Sequence, residues 1–264
     1  MCELLGMSAR LPARLTISLD ELAAHGGNAG PHRDGWGAAW YANHDAQRIR
    51  EVAPASGSDH LRYLRDQGLR SRLAIAHIRL ATRGERVLHN TQPFSRELGG
   101  RAHLFAHNGN LPGIDDVVPI GARFRPIGET DSEIAFCDLL AALAPLWDGE
   151  TPPSRAARFD TVAAFAERLS PLGPNNFLYA DGELLFVHGH RRTHPDGVLR
   201  APGLHLLERS CCIDPPAAID GLGLEPQGGD QRVTLVASVP LSDEAWQPLG
   251  DGELVAIADG IRLR

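Results

Sequence analysis

Four places in this 264-residue chain carry side chains that could act together on an amide bond: Cys2, Arg79, Asn108 with Gly109, and Asp131. A small residue at position 2 suits removal of the initiator methionine, after which Cys2 carries a thiol and a free α-amine on one residue. A thiol titrates near ~8.5 and an α-amine near ~7.7 to 8.0, so at neutral pH the amine can take the thiol proton. Arg79 can grip a carboxylate through two parallel N–H donors, and a carboxylate at Asp131 can hold an ammonium group. The Asn108 side-chain amide and the Gly109 backbone N–H can donate to an oxyanion. Such a set matches the three polar features of an amino acid with a γ-amide: α-carboxylate, α-ammonium and reacting carbonyl. Each member also has a plainer reading when taken alone. Cys2 could be a small apolar residue opening a strand, Arg79 a strand-end arginine, Asn108-Gly109 a turn, and Asp131 a favourable acid in a helix's first turn.

The elements that must position these groups are legible as patterns. Cys2 to Met7 reads as a short apolar strand, with Gly6 leaving room for a close neighbour. Ser18-Leu19-Asp20-Glu21 has capping-box spacing and predicts a short helix to about His25. The glycine-rich stretch 26–34 predicts a tight loop before an aromatic strand at Gly35–Tyr41. With no Gly-Lys-Ser/Thr and a strand following, that loop does not read as a phosphate cradle. Gln47 to Val52 reads as a strand and Asp59 to Gln67 as a short helix. Leu73–Arg79 and Ala102–His107 are apolar strands, the second stopping at Asn108-Gly109, residues that tolerate left-handed backbone angles. Thr130-Asp131-Ser132-Glu133 is a second capping box, with Ile134, Phe136, Leu139, Leu140 and Leu143 behind it at helical spacing. Phe159–Leu169 predicts another helix, Asp181-Gly182 a hairpin turn between strands at 177–180 and 184–187, and Val233–Ala237 and Leu254–Ala258 further strands. Many antiparallel-looking strands with helices inserted in groups give an α+β fold, expected as one domain over 1–264.

Composition narrows the partners. A formal net charge of -7 and basic residues scattered in pairs argue against nucleic acid. No apolar run is long enough to span a bilayer, and no basic-then-apolar leader precedes Cys2, so no membrane partner is expected. Four cysteines, two of them the adjacent Cys211-Cys212, do not form a disulfide framework in a chain of this size, and a reducing cytoplasm is the expected setting. His188-Gly189-His190 with His194 invites a metal reading, but no His-Glu-x-x-His or Cys-x-x-Cys completes a zinc set, so neither metal nor cofactor is expected. His77 reads as a hydrogen-bonded core histidine, and His107 as a residue that shapes the neighbouring oxyanion site.

The ordered set "AHIRLATRG", "NTQPF", "HNG" and "GETDSE", preceded by Cys2, resembles the class II glutamine amidotransferases, members of the N-terminal-nucleophile hydrolases. "GPHRDGWG" and "VASVPLSDEAW" make the chain similar to the stand-alone, YafJ-like branch, over Cys2 to about Trp246. The resemblance implies a four-layer αββα sandwich and attack of the Cys2 thiol on a glutamine side-chain amide through a γ-glutamyl thioester. It further implies Cys2 as nucleophile and, through its amine, base. Asn108 and Gly109 form the oxyanion hole, Arg79 binds the α-carboxylate with Thr82 beside it, and Asp131 binds the α-amino group. Leu80 and Arg83 depart from relatives with synthase domains, which carry an aromatic residue and a histidine after the arginine; the departure touches the pocket rim and lid. The small-molecule partner is then glutamine or a γ-glutamyl compound. Ammonia passes to a separate synthase, or the compound is simply hydrolysed. The alternative from another class is a catalytically silent, glutamine-binding subunit.

Overall fold

The strand that follows Cys2, β1 (Glu3–Leu15), runs well past its apolar beginning because it is paired along both sides. The computed structural model describes residues 2–15, 25–27, 32–67, 70–119, 121, 123–212, 222–223 and 230–263. The capping box at Ser18–Glu21 and the side chains of Cys211 and Cys212 lie outside the described residues.

Around β1 stand β2 (Trp36–Ala42), β3 (Asp45–Glu51) and β4 (Arg70–Ile78) on one side, and β9 (His205–Cys212) and β10 (Asp230–Ala237) on the other. Their order is β9-β10-β1-β4-β2-β3, with the two-residue strands Gln247–Pro248 and Leu222–Gly223 completing an eight-stranded sheet. The second sheet is built from β5 (Phe94–Leu98), β6 (Arg101–Gly109), β7 (Asn175–Ala180), β8 (Leu185–Gly189) and β11 (Glu253–Ala258). Its order is β11-β8-β7-β6-β5, extended beyond β11 by Ile261–Arg262. The pairings within both sheets are antiparallel, so short hairpins suffice to connect neighbours. Gly182, at φ +88°, closes the β7–β8 hairpin where Asp181-Gly182 predicts it.

Each sheet hides both faces. Between the sheets, Leu4, Leu73, Ile75 and Val236 of the first pack against Leu104, Leu178, Leu185 and Val187 of the second. Gly6 sits in this interface, where an added Cβ would lie 3.1 Å from Leu178 Cδ1 and 3.3 Å from Leu185 Cδ2; the missing side chain sets how closely the sheets approach. The outer face of the first sheet receives Leu61 and Leu64 of α1 (Asp59–Gln67) against Leu5, Trp36 and Ile78. The outer face of the second carries a short helix α2 (Ile114–Val117) and the longer α3 (Asp131–Leu143) and α4 (Arg155–Leu169). There Phe136, Leu140 and Phe165 meet Phe94, Phe105 and Phe177. Fully burying one such aliphatic or aromatic side chain is worth about 1.5–3 kcal/mol, so three apolar layers fix the stacking of four structural ones. The result is the expected four-layer αββα sandwich, an α+β fold of the Ntn-hydrolase type. Among the described residues no helix is long and apolar enough to cross a membrane.

Candidate active site

The register of β1 against β4 sets Glu3 opposite Ile78, which brings Cys2 level with Arg79 at one end of the first sheet. Half-buried there, the Cys2 thiol donates to Leu80 O at 3.3 Å and accepts from Leu80 N–H at 3.2 Å. Leu80 therefore contributes through its backbone, which explains how this position can depart from an aromatic without disturbing the sulfur. The next side chain, Glu3, is buried and lies 2.8 Å from His25 Nδ1.

Arg79 is buried, and its guanidinium binds the loop that follows it. Nη1 donates to Glu85 O at 2.9 Å, while Nη2 donates to Arg83 O and Gly84 O, each at 3.1 Å. Three of the five guanidinium N–H donors are used this way, which leaves two beyond the loop carbonyls. Thr82 is exposed in the bend at 82–84. Arg83 pairs with Asp115 of α2 at 2.8 Å, so the second departure from the synthase-type pattern anchors the rim instead of presenting a histidine.

Asn108 and Gly109 end β6, where β7 pairs with them through Asn176 and Asn175. Asn108 is completely buried; its Nδ2 lies 3.3 Å from Ser238 Oγ, and its backbone carbonyl accepts from Asn176 Nδ2 at 3.0 Å. A Cβ on Gly109 would sit 1.9 Å from Pro174 O, so only glycine allows the backbone this close approach. His107 shapes the strand end from the same side: a Cβ on Gly109 would also lie 2.6 Å from its Nε2, and its Nδ1 lies 2.9 Å from Ser132 Oγ in the first turn of α3.

Asp131 opens α3, capped by Thr130, whose hydroxyl accepts from Glu133 N–H at 3.3 Å. The other half of the expected capping box is replaced, because Glu133 Oε2 accepts from Gly128 N–H at 2.7 Å and its other oxygen takes Arg96. Asp131 itself accepts from Leu111 N–H at 2.8 Å and Ser132 N–H at 2.9 Å, which fixes a buried carboxylate at the helix start.

Three further polar residues hold these groups, and sequence reasoning assigned a role to none of them. Asp34, buried, accepts from Ala81 N–H at 2.7 Å and pairs with Arg86 at 2.7 Å, pinning both ends of the loop after Arg79. Asn90, fully buried, donates to Glu85 O at 3.2 Å and Glu129 Oε2 at 2.7 Å and accepts from Glu129 N–H at 3.1 Å, tying that loop to the entry of α3. Gln92 mimics a strand partner for β6: Oε1 accepts from His107 N–H at 2.6 Å and Nε2 donates to His107 O at 3.3 Å. All three fall in quoted motifs, "GPHRDGWG" and "NTQPF", yet a single sequence does not reveal which polar residues become buried.

The electrostatics link the groups. Burial pushes the Cys2 thiol up, the Leu80 N–H and the Arg79 charge pull it down, and Asp131 pushes it up again, so Arg79 and Asp131 both act on the sulfur. Burial also lowers His107, and it lowers His77 to about 3 with help from the Arg79 charge. Neither ring nitrogen of His77 has a hydrogen-bond partner among the described residues, so it is a core histidine without the bonding expected of it. Elsewhere His188 Nδ1 donates to Asn175 O at 2.6 Å and His190 Nε2 lies 3.3 Å from Asp251. Among the described residues no group of three or more His, Cys, Asp or Glu is placed to hold a metal ion.

The family model for class-II glutamine amidotransferases matches residues 1–263. YafJ of Escherichia coli, a provisionally named glutamine amidotransferase, is 38% identical over 260 residues covering 96% of each chain. A solved structure from Pseudomonas aeruginosa, described as a predicted glutamine amidotransferase, superposes with a TM-score of 0.70 at 30% identity, covering 100% of both chains. The glutamine phosphoribosylpyrophosphate amidotransferase of B. subtilis shares the fold, with a TM-score of 0.60 at 16% identity, over 99% of this chain and 48% of that longer one.

Proposed function

Because the chain belongs to the class-II glutamine amidotransferases, we propose that it cleaves the γ-amide of glutamine or of a γ-glutamyl compound, with Cys2 as nucleophile. What supports this reading is that Arg79, level with Cys2 across the β1–β4 register, and Asp131, at the start of α3, both act electrostatically on the Cys2 sulfur.

Burial favours the neutral thiol at rest, so attack needs a base. His77, at about 3, is too weak a base for that at neutral pH, and His107 is also lowered. The α-amine of Cys2, once Met1 is removed, takes the thiol proton while sulfur attacks the γ-carbonyl carbon. The C=O electron pair moves to oxygen, where the Asn108 amide and the Gly109 N–H donate to the oxyanion. When the tetrahedral adduct collapses, the C–N bond breaks and the ammonium of Cys2 returns its proton to the leaving amine. Ammonia, or an amine from a substituted γ-amide, departs and a γ-glutamyl thioester remains. Water then attacks the thioester by the same route, and glutamate leaves as the thiol is restored. Arg79 and Asp131 orient the substrate through its α-carboxylate and α-ammonium, with Thr82 on the exposed rim. A separate synthase receives the ammonia, or hydrolysis is the whole reaction.

The experiment is intact-mass measurement before and after incubation with diazo-oxo-norleucine, a glutamine-like electrophile. Loss of Met1 and one covalent adduct on Cys2 are expected, together with loss of glutamate release in Cys2→Ala. Unchanged turnover in Cys2→Ala refutes the mechanism. Saturable glutamine binding without an adduct describes a silent glutamine-binding subunit instead.

A further inference from the structure

Two deficits sit on one pair of buried side chains. Asn108 Oδ1 is buried and meets no donor among the described residues. Its other end, Nδ2, lies 3.3 Å from Ser238 Oγ, and that oxygen already accepts from Leu4 N–H at 3.0 Å. Ser238 Oγ is thus approached by two donors, and among the described residues its own proton has no acceptor. Ser238 is 1% exposed and Asn108 0%, so water does not make up either loss at the surface.

The two ends of a side-chain amide are nearly isosteric, and the hydrogen-bond network decides which end is which. A half-turn of the Asn108 amide removes both deficits at once. Oδ1 then accepts the Ser238 hydroxyl proton, while Ser238 Oγ still accepts from Leu4. Nδ2 moves to the buried position that the oxygen held, with two N–H donors and no acceptor among the described residues.

We propose that Ser238 is a positioning residue for the oxyanion site: its hydroxyl proton holds Asn108 Oδ1 and so keeps the amide N–H donors turned to the reacting carbonyl. This deepens the reading of Cys2 as nucleophile and rests on it. The placement of Ser238 suits the task. It lies just beyond β10, and besides the hydroxyl contact its N–H donates to Leu4 O at 3.1 Å, so it clamps β1 two residues after Cys2. Its carbonyl is held in turn by Arg192 Nη1. Through one side chain the strand carrying the nucleophile is therefore registered against the strand end carrying the oxyanion donor. With the amide the other way round, a carbonyl oxygen would face the developing negative charge and oppose it.

Ser238→Ala and Ser238→Thr in the full chain test the proposal. Without the hydroxyl proton the amide loses its lock, and kcat for glutamine falls by about 10²-fold, the scale of losing one oxyanion donor. KM stays unchanged, because the lost interaction forms only as charge develops. Ser238→Thr retains the hydroxyl and restores kcat. Wild-type kcat in Ser238→Ala overturns the proposal, as does an equal loss in both variants, or a fall in kcat matched by a rise in KM. Neutron diffraction from the deuterium-exchanged wild-type protein reads the amide without any turnover. Deuterons on the Asn108 atom facing away from Ser238 are expected, and deuterons on the atom facing it overturn the assignment. That readout stands even if Cys2 is not the nucleophile, so failure of the amide assignment and failure of the functional reading are told apart.

Discussion

Asp131→Asn separates recognition of the substrate's ammonium from the building of its site. The carboxylate is only 4% exposed and accepts two backbone N–H groups, Leu111 at 2.8 Å and Ser132 at 2.9 Å. Asparagine keeps the shape and one acceptor, but its NH2 must face one of those two donors. The cost to stability is about 1–3 kcal/mol for one buried donor left unpaired, which lowers Tm by several degrees at about 2–4 °C per kcal/mol for chains of this size class. The cost to catalysis is separate. A hydrogen bond to a charged partner is worth about 1.5–3 kcal/mol, or roughly a 10- to 150-fold fall in kcat/KM for glutamine. The assay compares glutamine with its des-amino analogue, 4-carbamoylbutanoate, in wild-type and variant protein. The wild type discriminates against the analogue, and Asp131→Asn loses most of that discrimination while turning over the analogue at the wild-type rate. If the variant slows both substrates by the same factor, Asp131 does not read the ammonium and its role is confined to the start of α3.

Two other outcomes follow from the packing. Gly109→Ala places a Cβ 1.9 Å from Pro174 O, so soluble protein should melt well below wild type and release little glutamate; Gly57→Ala, with nothing within 4 Å of the new carbon, is the control that should leave the melting curve in place. Stability should also fall as the solution is acidified below about pH 6.5. Burial lowers His103 and His188 to about 4 and His77 to about 3 from an ordinary 6.5, so in that interval the unfolded chain binds more protons than the folded one. Between its folded and unfolded values each histidine contributes a slope of up to about 1.4 kcal/mol per pH unit, so its stability is present in full above 6.5 and is lost on the way down. Urea midpoints at pH 7 and pH 5 measure it, and His77→Gln should flatten the dependence.

Local patterns carried much of the architecture. The α3 helix announced itself through Thr130 and the apolar spacing behind it, and the β7–β8 turn through Asp181-Gly182. The far half of β1 was hidden, because Arg10, Pro12 and Arg14 break the apolar pattern; its end is held by pairing of Ala13 and Arg14 with Ser71 and Arg70, and of Arg14 and Leu15 with Gly223 and Leu222. Arg155–Arg158 likewise belongs to α4, an extension secured by the Ser154 cap and a buried pair between Arg158 and Asp181 at 2.8 Å. The same division applies to the site. Cys2, Arg79, Asn108, Gly109 and Asp131 could be picked out because each lies at the end or beginning of a readable element. Asp34, Asn90, Gln92 and Ser238 act by reaching across between elements, and their partners are set by tertiary contact over tens to hundreds of residues.

The three carbonyls that Arg79 gathers from residues 83–85 have a thermodynamic consequence. A rim left slack in the empty protein would have to surrender its freedom on each encounter with ligand, and affinity would be debited accordingly. Here the guanidinium settles that entropy once, when the chain folds, so a ligand bound there meets a mouth already shaped, and glutamine titrated into the protein should lack the large unfavourable entropy of coupled loop ordering.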